Sequence, residues 1–173
     1  RAINSNFRFF LNRTNTIKMK PELGGGSLYD VGCYPINFVG MITGKLPVEM
    51  KAVCVKENRV DISFSAVLKY EDGVIANISS GFNSFGNTFS EIIGTSGKLE
   101  IPETFSDSSA PLILYTDDGR KEIPVEPSQR YLMEVEHFAD TILHDKKPML
   151  KIEETIMNMR VIEQLADLIS ISR

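Results

Sequence analysis

The stretch from Val48 to Val125 alternates between apolar and polar residues, and this period of two constrains the fold of the 173-residue chain most strongly. Its clearest segment carries apolar or aromatic side chains at every second position: Val60, Ile62, Phe64, Ala66, Leu68 and Tyr70. Glu71-Asp72-Gly73 and Asp117-Asp118-Gly119 are short turn sequences between such segments. Because short turns join antiparallel neighbours, the stretch predicts a mainly antiparallel sheet.

Segments of other periodicity flank this stretch on both sides. Before it, residues 1–11 alternate like a strand, and Gly24-Gly25-Gly26 then precedes a helical pattern over residues 27–43. After it, two helices are predicted from apolar residues at helical spacing: Leu132, Val135, Phe138, Ala139 and Ile142, then Ile156, Met159, Ile162, Leu165, Ala166 and Ile169. This order predicts one α+β domain over residues 1–173, an open, mostly antiparallel sheet with helices packed on one face.

The opposite face of the predicted sheet has a mixed composition. Small polar residues stand there beside two aliphatic ones, and the set comprises Ser63, Ser65, Asn77, Ser79, Val67 and Ile75. A large sheet rarely leaves such a face unused, so the pattern favours a subunit contact and a homo-oligomer.

Charge and residue usage exclude several functional classes. The net charge of -4 and the absence of basic clusters argue against a nucleic-acid partner, and no apolar run predicts a membrane span. Two cysteines and two histidines, Cys33, Cys54, His137 and His144, form no disulfide framework and no zinc spacing. We therefore expect a cytoplasmic protein without a metal. The start at Arg1, without Met or a signal peptide, is interpreted as that of a fragment.

The predicted helix over residues 27–43 separates an apolar face from a polar one. Ser27 and Asp30 have the spacing of a capping box at its start, and Pro35 in its interior predicts a kink. The apolar face comprises Leu28, Val31, Pro35, Val39 and Ile42. The opposite face comprises Asp30, Tyr34, Asn37 and Met41.

Asp30 and Tyr34 lie one helical turn apart, so their side chains are neighbours. A tyrosine hydroxyl can give or take a proton beside a carbon that loses or gains hydride. A free phenol has a pKa of about 10, so such a tyrosine needs a nearby cation or a proton relay near neutral pH. Asn37, one turn further on, is a candidate for a substrate-hydroxyl contact. The structural alternatives stay open: a capping Asp30, an amphipathic half-buried Tyr34 and an ordinary polar Asn37.

Four segments in register carry a resemblance to a known family. They are Lys20-Pro21-Glu22-Leu23, the run GGGSLYDVGCYP that ends at Pro35, Gly94-Thr95-Ser96-Gly97-Lys98-Leu99-Glu100, and the closing helix pair from His137 to Glu163. Over nearly its whole length the chain resembles the C-terminal domain of the glucose–fructose oxidoreductase / inositol dehydrogenase / MocA family. Tyr34, where many members have His, is similar to the branch with dihydrodiol dehydrogenase and some xylose dehydrogenases.

The resemblance implies an oxidoreductase that transfers hydride between NAD or NADP and a sugar, polyol or related diol. An N-terminal Rossmann domain, absent from this chain, would bind the cofactor, while this domain would contact substrate and build the oligomer. Carried over by position, Tyr34 would donate or accept the proton, and Asp30, with Asn37, would hold the substrate. No cofactor-binding residue is predicted in this chain, so the isolated fragment is expected to be inactive.

Three departures from the family pattern bear on this interpretation. The chain has no G-x-G-x-x-G motif, and it lacks the family's Glu-Lys-Pro, whose lysine helps catalysis. Lys146-Lys147-Pro148 is no substitute, because it falls between the last two predicted helices. Lys18 stands where members often carry Arg, which places a guanidinium-specific contact in doubt.

Two other functions compete with the dehydrogenase hypothesis. One is a non-catalytic binding or oligomerisation module of the same fold. The other is a cysteine-dependent aldehyde dehydrogenase that uses Cys33, because a cysteine near the start of a helix can form a thiolate.

Overall fold

The computed structural model describes residues 1–12, 15–107 and 109–171, in which nine strands and three α-helices form. The strands are β1 (Ala2–Phe10), β2 (Glu49–Glu57), β3 (Val60–Lys69), β4 (Ile75–Gly81), β5 (Asn83–Asn87), β6 (Ser90–Ile93), β7 (Gly97–Ile101), β8 (Leu112–Thr116) and β9 (Gly119–Ile123). The helices are α1 (Cys33–Thr43), α2 (Arg130–Leu143) and α3 (Ile152–Ile171), and a π-helical turn (Leu28–Gly32) precedes α1.

All nine strands join in one sheet of order β2-β3-β4-β1-β6-β7-β8-β9, with β5 paired to β1. The pair of β1 and β4 is parallel and the other pairs are antiparallel. The chain between β1 and β4 contains α1 and the β2–β3 hairpin, which is the long crossover that a parallel pair requires. The predicted α+β fold with an open, mostly antiparallel sheet is confirmed.

Turn chemistry explains the hairpins, including one that the sequence pattern did not reveal. Gly73, with φ of 81°, lies in the β3–β4 turn, and Gly119, with φ of 115°, begins β9. The β2–β3 hairpin turns instead through Asn58 and Arg59, whose φ angles are 50° and 68°. Because glycine usually occupies such left-handed positions, a turn without glycine gives little signal in a sequence.

Helices α1 and α3 cover one face of the sheet and bury the main core against it. That core includes Ile3, Leu28, Ile36, Phe38, Val39, Phe64, Ala66, Leu68, Ala76, Ile78, Val161, Ile162, Leu165 and Ile169. Three residues predicted on buried helix faces, Ile42, Ile156 and Met159, are between 41% and 44% exposed. They lie in the last turn of α1 and the first half of α3, beyond the part of each helix that covers the sheet.

Helix α2 departs from the expected packing, although its predicted helical spacing is confirmed. None of its residues is buried within the described part of the chain, and Phe138 at the centre of its apolar stripe is 67% exposed. The helix follows β9, which is an edge strand, so it lies away from the area that α1 and α3 cover. The expectation that the helices pack on one face therefore holds for α1 and α3 only.

The other face of the sheet has the mixed character predicted for it. Ser65 pairs with Ser79 and Val67 with Asn77 on adjacent strands, pointing away from α1 and α3. Three exposed aliphatic side chains lie near these residues: Val53, Val55 and Ile75.

Among the described residues, no helix combines the length and the apolar character that a membrane span needs.

Candidate functional site

The polar helix face predicted from the sequence is exposed at the start of α1. Asp30 lies in the π-helical turn and is partly exposed, whereas Tyr34, the second residue of α1, is 45% exposed. The irregularity expected at Pro35 occurs earlier, as this π-helical turn. Pro35 consequently falls in the first turn of α1, directly after the π-helical turn. Isolated π-helical turns are frequent at functional sites.

Lys18 supplies a cation to this face. Its Nζ lies 2.5 Å from both carboxylate oxygens of Asp30 and 5.7 Å from the centre of the Phe9 ring. Backbone bonds fix the loop that carries Lys18, because the Gly26 N–H donates to the Lys18 carbonyl at 3.0 Å. The capping-box role predicted for Asp30 is therefore wrong: its carboxylate pairs with Lys18 and not with the start of the helix.

Asp61 replaces Ser27 as the cap of the site helix. The Leu28 N–H donates to Asp61 Oδ2 at 2.8 Å, and the Ser27 hydroxyl donates to the same oxygen at 2.9 Å. Ser27 Oγ also lies 3.0 Å from Ser80 Oγ, so it anchors the helix to the sheet and does not cap it. The predicted Ser27 cap is wrong because a carboxylate from β3 already occupies that position.

A β-bulge directs Asp61 toward the helix. Opposite β3, Val55 pairs with Ser63 and Lys56 with Asp61, so Ile62 is the extra residue. Such an insertion reverses the alternation of side chains along a strand, and Asp61 points under the site helix and not to the open face. Asp61 is only 7% exposed, and burial raises the pKa of its carboxyl, an effect that the Leu28 N–H and Ser27 hydroxyl partly oppose.

The buried carboxylate predicts a pH-dependent stability difference between wild type and Asp61→Asn. The pKa of Asp61 is raised in the folded state above its ordinary value of 3.8, so the folded chain binds this proton more tightly than the unfolded chain. Its contribution to stability is then lost as pH rises from about 3.8 through the folded-state pKa. Denaturant unfolding measured from about pH 3.5 to about pH 7 covers that window. As pH rises through it, Asp61→Asn should gain stability relative to wild type. Parallel curves would contradict a raised pKa.

The glycine run allows close backbone packing at the start of the site. A Cβ on Gly25 would lie 2.6 Å from the Lys18 carbonyl oxygen, and a Cβ on Gly26 would lie 2.1 Å from Asp61 Oδ1. Both positions are filled by the chain's own loop and carboxylate. The space beside these glycines therefore does not fit a dinucleotide phosphate, which needs free backbone N–H groups and room beside them.

Two phenylalanines that the sequence pattern did not single out surround the Tyr34 ring. The Phe7 and Phe105 ring centres lie 5.2 Å and 5.7 Å from that of Tyr34, both approximately edge to face. The Phe7 and Phe105 rings stack on each other at 5.5 Å with an angle of 9° between their planes. Phe7 belongs to β1, and Phe105 comes from the loop after β7, more than 90 residues away in the chain.

Asn37 is exposed one turn beyond Tyr34, as predicted. It borders a cavity of about 470 Å³ between α1 and the start of α3, which Lys45, Tyr70 and Asn158 also line. Its role in holding a substrate hydroxyl remains a prediction.

The other candidate groups have structural surroundings. Burial raises the pKa of the Cys33 thiol, and the nearby Asp30 charge raises it further, which disfavours a thiolate. His137 Nε2 accepts the Met149 N–H at 3.0 Å, and His144 Nδ1 lies 3.2 Å from Asp140. Within the described residues no group of three or more His, Cys, Asp and Glu side chains is arranged to hold a metal.

Comparisons with known proteins agree on one family. Residues 1–100 match the profile of the GFO/IDH/MocA C-terminal domain. D-xylose 1-dehydrogenase (NADP(+)) 2 of Haloferax volcanii is 31% identical over 170 residues, which is 95% of this chain and 52% of that protein. Trans-1,2-dihydrobenzene-1,2-diol dehydrogenase of Xenopus tropicalis is 28% identical over 161 residues, 87% of this chain and 46% of that protein.

Solved structures share the fold over the whole chain. Aldose-aldose oxidoreductase from Caulobacter crescentus, complexed with glycerol, superimposes with a TM-score of 0.88 at 23% identity, covering 100% of this chain and 54% of that one. KijD10, a 3-ketoreductase from Actinomadura kijaniata in complex with NADP and TDP-benzene, gives a TM-score of 0.87 at 20% identity, covering 96% and 53%. The chain thus spans about half the length of the proteins it matches.

Proposed function

The chain belongs to the GFO/IDH/MocA family, as its C-terminal domain, and on this premise we propose that it is the substrate-side half of an NAD(P)-dependent oxidoreductase. The proposed reaction is hydride transfer at a secondary alcohol or hemiacetal carbon of a sugar, polyol or related diol. The relatives named above as a xylose dehydrogenase and a dihydrodiol dehydrogenase support this substrate range.

The observation that carries the proposal is one exposed helix face that presents an acid and a phenol, with a cation from the preceding loop paired to the acid. Asp30 and Tyr34 lie one turn apart on this face, and Lys18 contacts both oxygens of Asp30. In the proposed mechanism, the Tyr34 hydroxyl exchanges a proton with the substrate hydroxyl as the carbon changes oxidation state. Asp30, held in place by Lys18, accepts a hydrogen bond from a second substrate hydroxyl, and Asn37 is a further candidate for such a contact.

The nicotinamide cofactor supplies the hydride chemistry when it is bound. This chain offers no phosphate cradle in its glycine run, which supports the assignment of cofactor binding to an N-terminal Rossmann domain. Residues 1–173 would then form a single substrate-binding and oligomerisation domain. A lysine of the N-terminal domain would act as a cation beside Tyr34, and the isolated fragment would be inactive. The free thiols of Cys33 and Cys54 support a cytoplasmic location.

Turnover by the full-length protein tests this proposal. With NADP or NAD, the absorbance of the reduced nicotinamide should rise on addition of members of a panel: D-xylose, xylitol, trans-cyclohexane-1,2-diol and butane-2,3-diol. We expect turnover of at least one of these substrates by the full-length protein and none by residues 1–173 alone. Cofactor binding without turnover of any panel member would favour the non-catalytic module of the same fold.

Replacement of Lys18 tests whether its contact with Asp30 matters for the reaction. Lys18→Met leaves the Asp30 carboxylate without its charged partner, and a hydrogen bond to a charged group contributes roughly 1.5–3 kcal/mol when buried. Because the Lys18 and Asp30 side chains are 34% and 24% exposed, solvent weakens the pair, and we expect a smaller effect. The expected loss of kcat/KM is roughly three- to tenfold. Lys18→Arg keeps the cation at a partly exposed ion pair and should stay within about threefold of wild type. Equal losses in both variants would show that the charge is not what matters.

We further propose that the open sheet face mediates a homo-oligomer. Val53 is 68% exposed and Val67 44% exposed on that face, beside polar Ser65 and Asn77. Light scattering of the full-length protein should give a multiple of the monomer mass, which a Val53→Lys, Val67→Lys double variant reduces. A mass that the two lysines leave unchanged would place the subunit contact elsewhere.

A further inference from the structure

Phe105 is held against Tyr34 by contacts on both sides along its loop. The Thr104 N–H donates to the Thr88 carbonyl and its hydroxyl to the Ile101 carbonyl, both at 2.8 Å. On the other side, Arg130 Nε lies 2.8 Å from Asp107 Oδ1. The loop therefore presents the Phe105 ring in a defined position.

The Phe105 ring contacts other aromatic side chains of the protein and also the candidate catalytic residue Tyr34. Phe38, only 7% exposed, contacts the ring from the helix side, at 6.4 Å between centres with an angle of 85°. Phe7 stacks on one face, and Tyr34 meets the ring at an angle of 62°. Phe7 and Phe105 are both only partly buried, and each of them contacts the ring of the exposed Tyr34.

We propose that Phe105 and Phe7 form an apolar wall beside Tyr34 that selects cyclic substrates, whose rings present a flat C–H face, over open-chain polyols. This inference rests on the proposed function, because it takes Tyr34 as the group that contacts the reacting hydroxyl. The Phe7 and Phe105 ring centres lie 5.2 Å and 5.7 Å from that of Tyr34, so these two rings are the aromatic neighbours that a substrate bound at the phenol would meet.

An aromatic wall favours the binding of a cyclic substrate over that of a flexible open-chain substrate. The C–H face of a pyranose or a cyclic diol packs on an aromatic face, where burial of apolar area and weak attraction to the π-electrons stabilise the contact. An open-chain polyol has no such face, and it loses more conformational freedom when it binds. Asp30, one helical turn from Tyr34, and its partner Lys18 supply the polar groups of the same site, so a substrate ring would meet both apolar and polar side chains there.

A positioning role for Phe105 is the competing explanation, and the two roles differ in what they change. If Phe105 only orients the Tyr34 ring, its replacement should lower kcat for every substrate by the same factor. If it contacts the substrate, the ratio of kcat/KM between cyclic and open-chain substrates should change.

The experiment compares full-length wild type with Phe105→Leu and Phe105→Tyr on the four-substrate panel. Leu keeps an apolar side chain of similar volume, which limits the cost to folding, and Tyr keeps the flat ring. We expect wild type to have a higher kcat/KM for the cyclic pair, D-xylose and trans-cyclohexane-1,2-diol, than for the open-chain pair, xylitol and butane-2,3-diol. Phe105→Leu should lower the cyclic-to-open-chain ratio by roughly three- to tenfold, as expected for loss of an aromatic contact. Phe105→Tyr should restore the ratio to within about twofold of wild type.

Three results would overturn the inference. They are a wild-type preference for the open-chain pair, an unchanged ratio in Phe105→Leu with kcat lowered for all substrates, and an equal change in the Leu and Tyr variants. Failure of the proposed function looks different, since wild type would then turn over no member of the panel.

Discussion

Tyr34→Phe is expected to lower kcat of the full-length protein by about 10² to 10⁴, because the change removes the hydroxyl that exchanges a proton with the substrate. The ring remains, so its edge-to-face contacts with Phe7 and Phe105 stay in place. KM for the substrate should change much less than kcat, since a proton-transfer group acts mainly in the transition state. Steady-state kinetics with the best substrate of the panel measure both quantities.

Tyr29→Phe is the matched control for this variant. Tyr29 lies in the same π-helical turn as Asp30 and is 47% exposed, close to the 45% of Tyr34, but has no role in the proposed mechanism. Its replacement should leave kcat within about twofold, because substitutions at exposed positions away from a site have small effects. Unchanged kinetics in Tyr34→Phe would remove Tyr34 from the mechanism, whereas equal losses in both variants would point to a disturbed helix.

The polar helix face and the sheet were predictable because each depends on one local regularity. Alternation in residues 60–70 places Phe64, Ala66 and Leu68 on a common side, and in the structure that side is buried. Helical spacing likewise places Asp30 and Tyr34 together regardless of the exact start of the helix. A π-helical turn in place of an α-helical one still leaves residues four apart on roughly the same side, although the hydrogen bonding differs.

The remainder of the site depends on residues that are distant in the chain. Asp61 shares its parity with Ser63 and Ser65, so alternation alone places it on the open face, and only the bulge at Ile62 directs it under the helix. A single acid between Val60 and Ile62 was a weak signal that the simple pattern fails there. Phe105 gave no signal, because nothing in its local sequence indicates that its loop crosses to β1 and α1.

Gly26→Ala is expected to destabilise the domain strongly. Gly26 has φ of 132°, a conformation that side chains rarely adopt, and the new Cβ would lie 2.1 Å from Asp61 Oδ1. Asp61 is buried and holds the Leu28 N–H and the Ser27 hydroxyl, so it cannot move without losing the cap of the site helix. Backbone strain of about 1–3 kcal/mol and overpacking of a similar size add to a loss of roughly 3–5 kcal/mol in the free energy of unfolding.

Gly24→Ala separates the steric contribution of Gly26 from the backbone contribution. Gly24 also has a positive φ, 73°, but a Cβ there would meet nothing within 4 Å, so alanine should cost only about 1–2 kcal/mol. Denaturant unfolding of both variants gives the difference. A double variant with Asp61→Ala should lose less than the sum of its parts, because the carboxylate oxygen that meets the new Cβ is gone. Strict additivity, or equal costs at both glycines, would mean that the start of the site helix tolerates a side chain and that Asp61 does not fix its position.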